Sequence, residues 1–278
     1  MLENKARMPS LPEINREDII TIQDVLRNLR RIEWYSPCQL TKVIKNLLTT
    51  REGESMIEEL GRAPLPTEYG DWTYIVFGDH THGNFHEMLV LGNIDNGSLG
   101  DGKEILVRIH SACRTNEIFH AVNCECRKQL HQAMNLVQKE QKGIILYLDQ
   151  EGRGNGIGGK LAQLNGMFAW QDGKIEQRVD KSTGERIDTD RAYKEAGYPS
   201  ETRDFTVAGE MLKSIGVTSV RLLTNNPAKI AGIETAGIKV TPVEIHILPD
   251  NEIIAADLRS KAKNLGHKIG QEYWRVGK

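Results

Sequence analysis

Three of the four cysteines lie within a short stretch of the chain, in the pattern Cys113-x10-Cys124-x-Cys126. Thiolate sulfur is a preferred zinc ligand; a structural zinc site has four protein ligands, whereas a catalytic site keeps one position for water. The spacing therefore predicts a zinc site and favours catalytic and structural zinc equally. Buried free thiols are the alternative, and the polar surroundings of Cys124 and Cys126 argue against them. The histidines that would complete a structural site are His110, His120 and His131.

A glycine-rich tract follows the apolar run that ends at Leu148. Gly154-x4-Gly159-Lys160 is similar to a phosphate-binding loop, but Leu161 stands where that loop needs a Mg²⁺-binding hydroxyl. Gly154-x-Gly156-x-x-Gly159 is similar to a dinucleotide-binding turn, but Asp172 does not end a second strand as the ribose partner would. Both matches are weak. The tract predicts either a flexible turn or a loop whose backbone N–H groups and Arg153 suit an anion.

Short apolar runs alternate with helix-compatible segments through the rest of the chain. This alternation predicts the α/β (α+β) class, with a mixed β-sheet covered by helices. The predicted strands are Trp72–Phe77, Glu87–Leu91, Glu104–His110, Gly143–Leu148, Ser219–Leu223 and Ile238–Val243. The predicted helices are Arg127–Glu140, Phe205–Ile215 and one that begins near Pro227. The polar stretch Gln171–Asp190 predicts a surface insertion.

The first 61 residues differ from the rest, because apolar residues recur there at helical spacing and no glycine precedes Gly53. Ile22, Val25, Leu26 and Leu29 share one helical face. The same spacing recurs at Leu40, Val43, Ile44 and Leu47. Met56, Ile57 and Leu60 begin a third pattern of this kind. The sequence therefore predicts an N-terminal helical extension over residues 1–61 and a second domain over residues 62–278.

Composition narrows the functional class. The 278 residues carry 36 Lys+Arg and 38 Asp+Glu, a formal net charge of −2, which argues against a DNA or RNA polymer as partner. No apolar stretch approaches the roughly 18 residues that a membrane span needs, and the charged first 20 residues show no secretory signal. Four cysteines are too few for a disulfide scaffold. We expect a cytoplasmic protein without a membrane partner.

Several motifs occur in a fixed order from Arg62 to the C-terminus, and together they resemble the GTP cyclohydrolase II family. This family comprises zinc enzymes that open the guanine ring at the start of riboflavin biosynthesis. The motifs are Leu65-Pro66-Thr67-x2-Gly70-Asp71, Arg108-Ile109-His110-Ser111-Ala112-Cys113, Cys124-Glu125-Cys126-x2-Gln129, Gln150-Glu151-Gly152-Arg153, Asp188-Thr189, Arg203-Asp204-Phe205-Thr206 and Thr224-Asn225-Asn226-Pro227-x-Lys229.

The resemblance implies a catalytic domain over 62–278 that hydrolyses GTP at guanine C8 and releases formate and pyrophosphate. It implies one Zn²⁺ per chain on Cys113, Cys124 and Cys126, Mg²⁺ with the triphosphate, and a homodimer. Arg203 matches the family's nucleophile at the α-phosphorus, and electrostatic stabilisation is a further role for it. Glu201 matches the proton acceptor. The positions that match nucleotide-binding residues are Arg108, His110, Ser111, Gln129, Glu151, Arg153, Thr189, Thr224 and Lys229.

Three departures from the family pattern point to a diverged paralogue. Glu201 replaces an aspartate, Ala112 replaces a glutamate, and Leu164 stands where a tyrosine assists ring opening. One alternative is therefore an enzyme that retains the formyl group or opens the ring of another nucleotide, including a pyrimidine such as UMP in uracil catabolism. A second alternative is a non-catalytic nucleotide-binding protein with structural zinc, which the presence of both Glu201 and Arg203 disfavours.

Overall fold

A computed structural model of the chain describes residues 57–276. Ile57–Asp79 and the residues from Asn84 onward form one compact unit around a seven-stranded sheet. The strands of this sheet are β1 (Ile57–Thr67), β2 (Gly70–Asp79), β3 (Asn84–Leu91), β6 (Ile105–Ser111), β7 (Gly143–Leu148), β10 (Ser219–Leu223) and β11 (Lys239–Val243). Two small hairpins are β4–β5 (Ile94–Asp95, Ser98–Leu99) and β8–β9 (Phe168–Gln171, Lys174–Gln177).

The sheet is mixed, with strand order β1-β2-β3-β7-β6-β10-β11. Strands β1, β2, β3 and β7 pair antiparallel, whereas β7, β6, β10 and β11 pair parallel. The central strands β6 and β7 are buried along almost their whole length; β7 is a nearly continuous apolar run, whereas β6 is apolar at its start and carries the buried polar residues Arg108 and His110 near its end. The prediction of a mixed sheet covered by helices is confirmed.

The helices are α1 (Arg114–Glu117), α2 (Cys126–Glu140), α3 (Gly156–Met167), α4 (Thr189–Glu195), α5 (Thr206–Ser214), α6 (Pro227–Glu234) and α7 (Glu252–Leu265), with 3₁₀ turns at Glu151–Gly154 and Gln271–Trp274. Alternate residues of each strand point to opposite faces. Val107 and Ile144 therefore join the core that includes Met211 of α5, whereas Ile145 joins the core that includes Val137 of α2. Among residues 57–276, no helix has the length and apolar character to cross a bilayer.

The helical pattern predicted from Met56, Ile57 and Leu60 is wrong for the part that the structure describes. Ile57 and Leu60 belong to β1, which pairs with β2 through a bulge between Glu59 and Gly61. Gly61, Pro64 and Pro66 follow at once, and proline disrupts a helix interior but is tolerated in an edge strand. The remainder of the predicted extension lies outside the described residues, and the boundary at residue 61 stays a prediction.

Candidate functional site

The sequence motifs meet at one edge of the sheet because three parallel strands end there. Strand β6 ends at Ser111 and leads to Cys113, β7 ends at Leu148 and leads to Glu151, and β10 ends at Leu223 and leads to Thr224. The carboxyl ends of neighbouring parallel strands share an edge, which is where open α/β sheets bind ligands. The fold thus assembles residues that are far apart in the chain.

The three cysteine sulfurs form a compact cluster. Their Sγ atoms all lie within 4.8 Å of one another, and those of Cys113 and Cys124 are 3.6 Å apart. Thiolates about 2.3 Å from one tetrahedral zinc lie roughly 3.8 Å apart, so this donor set fits the ion. Buried Asn116 shapes the loop between the cysteines: its Nδ2 donates to the Cys124 carbonyl (3.1 Å), and its Oδ1 accepts from the Arg127 N–H (2.6 Å).

The thiols influence one another's protonation. Hydrogen bonds from Cys124 and Cys126 lower the pKa of Cys113, whose negative charge and hydrogen bonds in turn raise the pKa of the other two. The Lys160 ammonium lies 3.7 Å from the Cys113 sulfur and 3.8 Å from a Glu151 carboxylate oxygen. A divalent cation bound by the three sulfurs would favour the deprotonated form of all of them.

Cationic side chains line a cavity beside this cluster, and two of them, Arg108 and Lys229, are buried. Arg108 Nη1 donates to the Leu223 carbonyl (2.9 Å), and Lys229 Nζ donates to the Ile109 carbonyl (2.9 Å). Burial lowers the pKa of Arg108 to about 10 and holds that of Lys229 well below its ordinary value. Within residues 57–276 neither Arg108 nor Lys229 has an ion-pair partner. Arg203 is the third cation, and Cys126 lines the same cavity. This arrangement suits a polyanion next to a metal.

Arg203 is held by Glu201. The Arg203 Nε donates to Glu201 Oε1 (2.7 Å), and Nη2 donates to the second carboxylate oxygen. Burial alone would lower the pKa of Arg203, but the Glu201 carboxylate outweighs burial and the pKa is raised. Burial alone would raise the pKa of Glu201, but the Arg203 guanidinium outweighs burial and the pKa is lowered. Arg203 Nη1 also lies 3.4 Å from the Ser111 hydroxyl. The pair therefore presents a charged guanidinium with a carboxylate in reach of its protons.

Comparison with known proteins identifies the family. The model of the GTP cyclohydrolase II family matches residues 58–244. The chain belongs to the GTP cyclohydrolase II family. It is similar to proteins named riboflavin biosynthesis protein RibBA: 36% identical to that of Phocaeicola vulgatus over 228 residues (81% of this chain, 51% of that protein) and 34% identical to that of Bacillus mycoides over 267 residues (95% and 57%). The chain spans about half the length of these relatives.

A solved two-domain 3,4-dihydroxy-2-butanone 4-phosphate synthase from A. baumannii also matches, over 68% of this chain. Its TM-score is 0.32 and its sequence identity 13%.

The positions that match the family's nucleotide-binding residues fall into two groups. One group lines the cavity and consists of Arg108, His110, Ser111, Gln129, Thr224 and Lys229. The second group does not line it: Glu151 accepts from the Arg114 N–H (2.8 Å), Arg153 pairs with Asp257 (3.4 Å), and the Thr189 hydroxyl lies 3.6 Å from the Met167 sulfur. The structure thus brings the motifs to the same end of the sheet, but only part of them lines the cavity.

Several side chains at the site were not identified from the sequence. Glu117 contacts His110 Nε2 (2.7 Å) and accepts from the Tyr147 hydroxyl (2.6 Å), so it supplies a carboxylate near the position where Ala112 lacks one. Lys261 contacts Glu125 (2.8 Å), which lies between two of the cysteines. Lys160 was noted as part of the glycine-rich tract, but its contact with the Cys113 sulfur could not be predicted because it depends on tertiary packing. Asp257 and Lys261 carried a detectable signal, an acid and a base four residues apart on one helix.

Proposed function

We propose that the chain catalyses zinc-dependent hydrolytic opening of the imidazole ring of GTP at C8, releasing formate and pyrophosphate and leaving a diaminopyrimidine ribosyl phosphate. One observation carries this proposal. Cys126 of the three-thiol cluster lines the same cavity as the cations Arg108, Arg203 and Lys229. A nucleoside triphosphate could place its phosphates on these cations and its base beside a metal that activates water. The base, and not only the phosphates, would then react.

At the metal end, Cys113, Cys124 and Cys126 would hold Zn²⁺. The ion, when bound, supplies activation of water for attack on carbon near neutral pH. Lys160 balances the charge of the cluster, since its ammonium lies 3.7 Å from the Cys113 sulfur. His110 lines the cavity with a buried Nδ1 that has no hydrogen-bond partner in the described part of the chain. Glu117 binds the other ring nitrogen, which leaves Nδ1 free to contact the nucleotide.

At the phosphate end, Arg108 and Lys229 bind the triphosphate, with Mg²⁺ as its counter-ion. The Arg203 guanidinium stabilises charge at the α-phosphorus and acts there as the nucleophile once Glu201 accepts its proton. Pyrophosphate then leaves with the electron pair of the broken P–O bond, and water later hydrolyses the phosphoryl–arginine bond. The carboxylate of Glu201 already touches the guanidinium through two hydrogen bonds, so its extra methylene relative to aspartate does not prevent contact.

The test is incubation of the purified chain with GTP, Zn²⁺ and Mg²⁺. We expect the diaminopyrimidine chromophore together with stoichiometric formate and pyrophosphate. Cys124→Ser should lose zinc and ring opening together, whereas Cys38→Ser, which changes the one cysteine of the sequence outside the Cys113-x10-Cys124-x-Cys126 motif, is the matched control. Tight GTP binding by the zinc-loaded protein without turnover would overturn the proposal and favour a nucleotide-binding role with structural zinc.

A second candidate uses the same site but changes the product or the base. It is favoured by Ala112 and by half-buried Leu164, which stand where the family carries a carboxylate and a phenol. The enzyme would then retain the formyl group or open another nucleotide, with UMP as the pyrimidine case. Mass spectrometry across a nucleotide panel separates these outcomes, because a retained formyl carbon adds its mass to the product.

The domain division at residue 61 and the homodimer are also proposals, carried by the resemblance to the family. Strand β1 (Ile57–Thr67) pairs with β2 from Ile57 onward and so crosses the proposed division, which favours a start of the catalytic domain a few residues before residue 62.

A further inference from the structure

Tyr193 is a buried phenol whose hydroxyl has no hydrogen-bond partner in the described part of the chain. The side chain lies on α4 and is only 1% exposed. A buried tyrosine normally pairs its hydroxyl, because leaving a polar group unsatisfied costs about 1–3 kcal/mol. The Tyr193 hydroxyl oxygen is not one of the fully buried unpaired polar atoms of the described residues, so it borders open space in which a ligand group or water can pair with it.

The surroundings of this hydroxyl are ionic. The Arg153 guanidinium lies 5.9 Å from the ring centroid of Tyr193. A methyl group placed on Gly152 would lie 3.3 Å from the hydroxyl oxygen and 3.4 Å from Cβ of Lys160, so the three residues meet at one point. Lys160, Arg153, Glu151 and Arg203 all act on the phenol electrostatically. Tyr193 thus lies among the residues that match the family's nucleotide-binding and phosphate-directed positions.

The packing of two helices explains this placement. Gly166 of α3 faces Ala192 of α4, and a Cβ at Gly166 would lie only 2.9 Å from the Cβ of Ala192. Glycine therefore permits the close approach that carries the next residue, Tyr193, toward Lys160. Thr189 precedes Tyr193 by one helical turn and shares its face of α4. Both side chains belong to the segment after the β8–β9 hairpin, not to the helix where the family carries its tyrosine.

Ring opening of GTP, the function proposed above on which this inference rests, requires a proton donor. Water adds across N7 and C8, and the adduct collapses as the C8–N9 bond breaks and its electron pair goes to N9. We infer that the Tyr193 hydroxyl donates the proton that N9 takes up. The phenolate lies among Lys160, Arg153 and Arg203, and it regains a proton from the adduct's hydroxyl as that oxygen becomes the formyl C=O.

The protonation state agrees with this role. Burial raises the pKa of Tyr193 to about 12, while the neighbouring cations limit the rise. The phenol is therefore protonated at neutral pH, as a donor must be, and the cations that stabilise its anion are already in place.

The test is Tyr193→Phe, which removes only the hydroxyl, with zinc-loaded full-length protein and GTP. We expect kcat for ring opening to fall by about 10²–10⁴-fold with little change in KM, as for loss of a general acid. Pyrophosphate release, which depends on Arg203 and Glu201, should continue. Tyr198→Phe is the matched control, because this half-buried tyrosine follows α4 and packs near Gly158 and Gly159 instead. Unchanged ring opening in Tyr193→Phe would overturn the inference.

A stability measurement separates catalysis from structure. Removing a hydroxyl that has no protein partner should leave the Tm unchanged or raise it, whereas removing a structural hydrogen bond should lower it. A lowered Tm together with equal losses of ring opening and pyrophosphate release would show that Tyr193 is structural. If wild-type protein itself opens no ring, the proposed function fails, and that outcome is distinct from failure of the Tyr193 assignment.

Discussion

Gln129 connects the two halves of the candidate site through its side-chain amide. Its Oε1 accepts from Arg108 Nη2 (2.6 Å), and its Nε2 donates to Glu125 Oε1 (3.0 Å). Glu125 lies between two cysteines of the cluster and also contacts Lys261 (2.8 Å). A single neutral side chain therefore satisfies a buried cation on one side and the metal-binding loop on the other.

Replacing this amide should lower stability. In Gln129→Leu, Arg108 and Glu125 both lose a partner in a buried setting, and we expect the free energy of unfolding to fall by about 1–3 kcal/mol. Gln132→Leu, one turn away on α2, is the control, because the buried Oε1 of Gln132 already has no partner among the described residues. Urea denaturation of both variants measures the difference. Equal losses in the two variants would contradict this account.

At the scale of elements, α3 shows how glycine serves packing instead of flexibility. Gly166 faces Ala192 of α4, whereas Gly158 has open space up to the Tyr198 hydroxyl at 3.9 Å. Both glycines lie within the same helix, so both have the same unfavourable helix propensity relative to alanine. Only their neighbours differ.

Alanine substitutions at these two positions should act in opposite directions. Gly158→Ala should raise the free energy of unfolding by about 0.5–1 kcal/mol, because alanine is the better helix former. Gly166→Ala should lower it by about 1–3 kcal/mol, because the added methyl forces α4 away from α3. Chemical denaturation of the two variants tests this expectation. Stabilisation by Gly166→Ala would contradict it and would show that α4 moves away from the added methyl without a loss of stability.

The sequence predicted the elements of the sheet better than their contacts. Gly143–Leu148 and Ser219–Leu223 were predicted within their observed bounds, because buried strands are short apolar runs with clear ends. The local pattern predicted a helix at Ile57 and Leu60, because three apolar residues are too few to distinguish the helical repeat from that of a strand. The contact of Gly166 with Ala192 was not predictable, because the β8–β9 hairpin separates the two residues in the chain.

For the molecule as a whole, charge is distributed so that cations from distant segments surround one cavity. The net charge of −2 conceals Arg108, Arg203, Lys229 and Lys261, which all line it. The resemblance to the family, carried by the ordered motifs, predicted the first three. Lys261 and Tyr193 lie on helices that contact the site only through tertiary packing, which no local spacing reports.

This concentration of charge makes stability depend on pH through His267, which also lines the cavity. Burial and the nearby cations, Lys261 first, lower the pKa of His267 to about 2. The unfolded chain binds this proton near pH 6.5, so the stabilising contribution is complete above that pH and is lost as pH falls, at about 1.4 kcal/mol per pH unit. Unfolding free energies of His267→Gln between pH 6 and pH 4.5 should fall less steeply than those of wild type. His131→Gln, at an exposed position on α2, is the control, and parallel wild-type and His267→Gln curves would contradict the prediction.

The position of β6 between β7 and β10 has a consequence for synthesis. The hydrogen bonds from Glu104 N–H to the Ser219 hydroxyl and from Lys229 to the Ile109 carbonyl span 115 and 120 residues. Such long-range pairing is slow to form, and a growing chain emerges from its N-terminal end. Cys113, Cys124 and Cys126 are therefore made long before β10 and α6 can pack beside β6 and complete the fold around the site. The interval between translation and closure is the period in which these thiols are most open to oxidation, and early capture of a metal ion would protect them.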